Sequence, residues 1–121
     1  MRKNVLQSYK IFTDEPAANF DNKANPTDVS FLDNCGITVE WTGTPEGLMS
    51  IFVSNDDADP KGDRPVVNWI TLDFGSPVIV DGTNSNLLIN MNMLPFRWLA
   101  IGYAHTTGTG TISAQLTAKM V

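Results

Sequence analysis

The sequence predicts an all-β protein, an antiparallel β-sandwich or jelly roll of about eight strands. Three observations lead there. Residues 111–118 alternate cleanly, with Thr111, Ser113, Gln115 and Thr117 on one face and Ile112, Ala114, Leu116 and Ala118 on the other. That period of two marks a strand buried on one side. Short apolar runs recur along the chain between Gly, Pro, Asn and Asp turns, the spacing expected of sandwiches and barrels. No segment carries the apolar periodicity of a helix.

Taken in order, residues 5–12 predict a first strand with Val5, Gln7, Tyr9 and Ile11 on one face. Residues 13–27 hold Pro16, Pro26 and several Asn and Asp, and read as a long polar connection of the kind laid over a neighbour. Residues 1–27 are therefore read as a strand plus an extended arm, and 28–121 as the sandwich domain. Residues 29–32 predict a short strand. Residues 37–41 turn Ile37, Val39 and Trp41 inward, and 48–54 do the same with Met49, Ile51 and Val53. The Thr-Gly-Thr-Pro-Glu-Gly turn between them predicts a hairpin or tight meander. Residues 66–74, 78–80 and 86–91 continue the series, with Asp81-Gly82 as a turn. Pro95 must start a strand, because a central strand cannot spare its N–H. The last two strands, within 96–118, enclose a Thr/Gly turn.

At 121 residues the chain suits one core, and 8 basic against 13 acidic side chains leave a net charge of −5. That balance argues against a nucleic-acid partner, which calls for a basic patch. No run approaches the ~18 apolar residues of a membrane span. Polar residues behind Met1 interrupt any secretion signal, so synthesis in the cytoplasm is expected.

Candidate sites are few. Asp57, Asp59, Lys61, Gly62 and Asp63 echo a calcium loop, but Lys61 and Asn68 stand where ligands are needed. A looser oxygen site from Asp56, Asp57, Asp59 and Asp63 is the one metal candidate. Cys35 is the sole cysteine and reads as a small buried hydrophobe; a nucleophile would need His105, the sole histidine, beside it. Asp14 with Glu15, or Glu40 with Asp73, are nominal carboxylate pairs with nothing to mark them for acid–base work. Trp41, Trp69 and Trp98 read as core anchors, although an exposed pair would make a sugar platform. Tyr9, Phe12, Phe20 and His105 are the interface candidates. No catalytic residue and no cofactor is expected.

Two resemblances complete the reading. Val53-Ser54-Asn55-Asp56, then Asn68-Trp69-Ile70-Thr71-Leu72, then Phe96-Arg97-Trp98-Leu99-Ala100-Ile101 loosely resemble the discoidin-type β-sandwich. The acidic stretch Asp-Asp-Ala-Asp-Pro-Lys-Gly-Asp-Arg-Pro departs from it by replacing a tight turn. From Val29 onward the chain more closely resembles small bacteriophage virion proteins of the cement, decoration or spike type. The shared parts are Trp41-Thr42-Gly43-Thr44-Pro45, Leu87-Leu88-Ile89-Asn90, Pro95-Phe96-Arg97-Trp98 and the closing Thr-Thr-Gly-Thr-Gly-Thr hairpin. The resemblance implies a non-enzymatic structural protein of the virion. It implies contacts with the major capsid protein or other virion subunits, and a homo-oligomer, dimer or trimer. The alternative is a carbohydrate-binding module for receptor recognition.

Overall fold

The computed structural model describes residues 5–30, 34–72, 74, 78–81, 86–92 and 96–120. They form β1 (Val5–Pro16), β2 (Phe20–Asp21), β3 (Thr27–Asp28), β4 (Asn34–Gly43) and β5 (Glu46–Ser54). After these come β6 (Ile70–Thr71), β7 (Val78–Val80), β8 (Asn86–Asn92), β9 (Trp98–Thr107) and β10 (Gly110–Met120). One sheet runs β1-β10-β4-β8 and the other β2-β9-β5-β6, all pairs antiparallel. β5 occupies one side of β9 along its whole length, so β2 and β3 must share the other side. By the same reasoning β6 and β7 share the free side of β5.

Ten strands therefore fill eight positions. The first position pairs with the last, the second with the seventh, the third with the sixth, and the fourth with the fifth. A long hairpin folded over on itself in this way is a jelly roll. The two inner faces meet in a core of Ile37, Val39, Ile112 and Leu116 from one sheet and Ile51, Leu99 and Ile101 from the other, all fully buried. Each such side chain gains roughly 1.5–3 kcal/mol from leaving water.

The inward residues expected on 37–41, 48–54 and 111–118 are the buried ones. Three expectations need correction. β4 and β5 lie in different sheets rather than forming a hairpin. Gly43, at φ 75°, turns the chain out of the first sheet, and the Thr44 amide donates to the Thr109 carbonyl. A strand over 66–74 shrinks to Ile70–Thr71. The Val67 and Asn68 amides donate to the Asp56 carboxylate instead of a ladder. The strand at 29–32 is replaced by β3 just before it; Val29 and Ser30 are not in strand, and residues 31 and 32 lie outside the described residues. Pro95 also lies outside them.

Candidate functional site

The sandwich has two open ends to its sheets, here called flanks, and they differ. On the β1 flank, Phe12 stands edge-on to Phe20 with ring centroids 5.0 Å apart. Phe20 then meets Tyr103 at 5.6 Å, and Tyr103 meets His105 at 5.7 Å. The Gly108 carbonyl can only accept, so His105 Nε2–H donates to it at 3.0 Å. In that tautomer of the neutral ring Nδ1 accepts from the Tyr103 hydroxyl at 2.9 Å. Burial, and secondarily the charge of Glu46, pushes the Tyr103 phenol above its ordinary value. The segment between β1 and β3 is tied down too. The Asn19 and Asn22 side-chain oxygens accept from the His105 and Ile101 amides at 2.7 and 2.6 Å.

The Phe12–Phe20 contact sets β1 above β2 at this edge. The sheets face each other, so β8 lies on the same side as β6 and β7. Exposed apolar side chains occur along these strands and in the segments joined to them. Val67, Ile70, Phe74, Ile79 and Leu88 are 69, 66, 41, 57 and 62% exposed, and Leu48 beside Ile79 is 47% exposed. Among the described residues these six are the exposed large hydrophobics, and none belongs to the β1 flank. Leu88 lies on the outer face of its sheet, and Ile79, opposite exposed Leu48, on the outer face of the other; exposed apolar side chains along the outer strands of one flank mark it as a candidate contact region. Sequence reading missed it because each residue sat inside an expected strand. One signal was available: from 66 to 96 the only charged side chains are Asp73 and Asp81.

The expected site residues fall as follows. Tyr9, Phe12 and Phe20 are half-buried against their own core, and His105 is held by the contacts above. Asp56 accepts from the Asn68 and Val67 amides at 2.9 Å each, and from Asn68 Nδ2 at 3.0 Å. Those donors hold its carboxyl below its ordinary value. Asp57 faces Arg97 and Arg64 at 3.6 and 3.7 Å. The Asp59 backbone closes a turn with Gly62 and Arg64, and Asp63 is exposed beside it. Among the described residues no three His, Cys, Asp or Glu converge on a point that would hold a metal.

Cys35 is buried, and burial pushes its thiol up to about 11. It lies eight residues along β4 from Gly43, whose end of the sheet carries the His105 turn. That is roughly 26 Å of strand, so no Cys–His pair forms. Asp73 lies outside the described residues. Glu40 instead shares a shallow depression of about 340 Å³ with Asp14, lined otherwise by Thr42, Thr111 and Ser113 among others. Asp14 takes φ 52°, a region Asp tolerates, and its amide donates to Ser113 Oγ at 2.9 Å. Trp41 is buried, whereas Trp69 and Trp98 are half-buried. Trp98 Nε1–H donates to the Asp56 carbonyl at 3.1 Å.

No protein-family model matches the chain, and no curated protein does. Among solved structures it is similar to the SPBc2 prophage-derived protein YomS, known from a crystal structure. The likeness covers 98% of this chain and 97% of that one, with a TM-score of 0.50 and 9% identity. At that identity the two share a fold.

Proposed function

We propose that the chain is a structural protein of a bacteriophage particle, cementing or decorating the capsid through protein–protein contacts. It would be made in the host cytoplasm and carried in the virion. The observation that carries this reading is the set of exposed apolar side chains within 66–96, a segment with only two charged residues. Such a surface suits a protein partner better than a small ligand, which is usually held in a concave pocket. The fold shared with a prophage-derived protein supports the phage setting. Partners on this reading are the major capsid protein or other virion subunits, together with further copies of the chain as a dimer or trimer. A modest patch per copy suffices, because repetition over a symmetric shell multiplies its effect.

The carbohydrate alternative calls for an exposed tryptophan pair, whereas Trp41 is buried and Trp69 and Trp98 are half-buried. Gradient-purified particles from cells producing the phage that encodes the chain provide the test. Mass spectrometry should find it at a fixed ratio to the major capsid protein. Its absence from particles, with abundant free protein in the same lysate, would overturn the reading.

A further inference from the structure

A jelly roll has four sheet edges, and an edge with free backbone groups invites another strand unless something blunts it. Three of the four are blunted here. β1 is interrupted by two register shifts, carries Lys10 and ends at Pro16. The β2/β3 edge consists of two strands of two residues each, with Pro26 between them. The β6/β7 edge consists of strands of two and three residues. β8 differs on every count. It is seven residues long, pairs with β4 without a break from Asn34↔Asn92 to Glu40↔Asn86, and ends its sheet among the described residues. Its sequence, Asn-Leu-Leu-Ile-Asn-Met-Asn, holds no charge, no proline and no glycine.

We infer that β8 is a self-association edge, where a second copy of this chain adds its own β8 antiparallel about a two-fold axis. The two four-stranded sheets then join into one of eight. This deepens the homo-oligomer part of the proposed function and does not depend on the phage setting.

Charge selects the occupant. Outside 66–96 the chain carries 11 of its 13 acids and all 8 of its bases, so its other surfaces are rich in charge. A strand that pairs with its own image is best uncharged near the axis, because a charge there would be brought towards a copy of itself. β8, uncharged from Asn86 to Asn92, meets that condition, and a charged foreign partner would find little on the strand to recognise.

The register follows from exposure. Opposite residues in an antiparallel pair lie on the same face, so a two-fold axis can set one residue against its own copy. Leu88 is 62% exposed, on a face it shares with polar Thr38 and Glu40. An axis at Leu88 buries both leucines against each other, whereas an axis at Ile89 would set Leu88 against Asn90. The Leu88 register is the favourable one.

Sedimentation of the purified full chain across a dilution series is the first test, and a concentration-dependent dimer is expected. Leu88→Lys places like charges opposite each other and should raise the dissociation constant by about tenfold or more. The native side chain is largely exposed, so the variant should melt as wild type does. Leu88→Cys should form a disulfide dimer under mild oxidation, while Ser8→Cys, exposed on β1, should not. Cys35 is buried and competes poorly in that reaction. A dimer or trimer indifferent to Leu88→Lys, with no Leu88→Cys disulfide, would overturn the β8 edge and leave the homo-oligomer reading standing. A monomer at every concentration would overturn both, while the particle test above would still decide the virion role.

Discussion

The two flanks of the sandwich solve the same problem in opposite ways. Each must finish two sheets whose last strands have no further neighbour among the described residues. The β1 flank finishes them internally, by a stack of Phe12, Phe20, Tyr103 and His105 and by Asn side chains that accept edge amides. The β8 flank leaves a long uncharged strand and, on its outer strands, exposed Ile70, Ile79 and Leu88. One flank spends its apolar side chains on its own fold, and the other keeps them on the surface. Mutations on the first should register in stability, and those on the second in association.

The largest effect should come from removing residues 1–27. These residues contain β1, β2 and the first residue of β3, which cover the edges of β10 and β9. The truncated chain should show no cooperative thermal transition and a loss of β-sheet circular dichroism; a sharp native-like melt would show the segment to be detachable. Next in size is Phe20→Ala. It removes the ring that joins Phe12 to Tyr103, and should cost about 2 kcal/mol, less than a fully buried phenylalanine because Phe20 is half-buried. Urea titration would measure it. A loss below a few tenths of a kcal/mol would mean that the stack is decorative.

The contrast between flanks also explains what the sequence made legible. Alternation in 37–41, 48–54 and 111–118 named the inward side chains because each strand buries one face, and burial imposes a period of two. Which strands pair is a different matter. The turn at 42–47 looks like a hairpin turn locally, yet Gly43 and Thr44 carry the chain from one sheet to the other through a bond to Thr109, 65 residues away. No local pattern encodes that distant partner. Nor does the polar run 13–27 encode its contacts locally: the Asn19 and Asn22 side-chain oxygens accept from amides of β9. The apolar flank escaped notice because Val67 and Ile70 resembled strand interior. What removes Val67 from a ladder is Asp56, eleven residues before it, while Ile70 pairs with Val53 and is still exposed.

Asp56 therefore gives a pH-dependent way to sharpen the comparison. Its carboxyl is held below the ordinary value by the Asn68 and Val67 amides and the Asn68 side chain. A carboxyl depressed in the folded state stabilises it fully above the unfolded value, about 3.9. That contribution fades as pH falls through the lower folded value. Asp56→Asn should melt below wild type at neutral pH, and the gap should close towards pH values under about 4. A gap that stayed constant on acidification would assign the loss to shape rather than charge. The loop it anchors leads directly into the exposed Val67, so hydrogen exchange should quicken at Val67 and Asn68 before the core strands.

The smallest effect on stability should come from Ile70→Ser, and its smallness is what makes it informative. Ile70 is 66% exposed although it is paired with buried Val53. Replacing it removes little buried area from the isolated chain, so the change in unfolding free energy should stay within about 0.5 kcal/mol. If the flank is a contact surface, the same substitution should weaken association measurably, because side chains exposed alone are covered together. A loss of 2 kcal/mol in the monomer would place Ile70 in the core and dissolve the contrast. Unchanged stability with weakened association would separate the two flanks by function: one holds the fold closed, the other holds a neighbour.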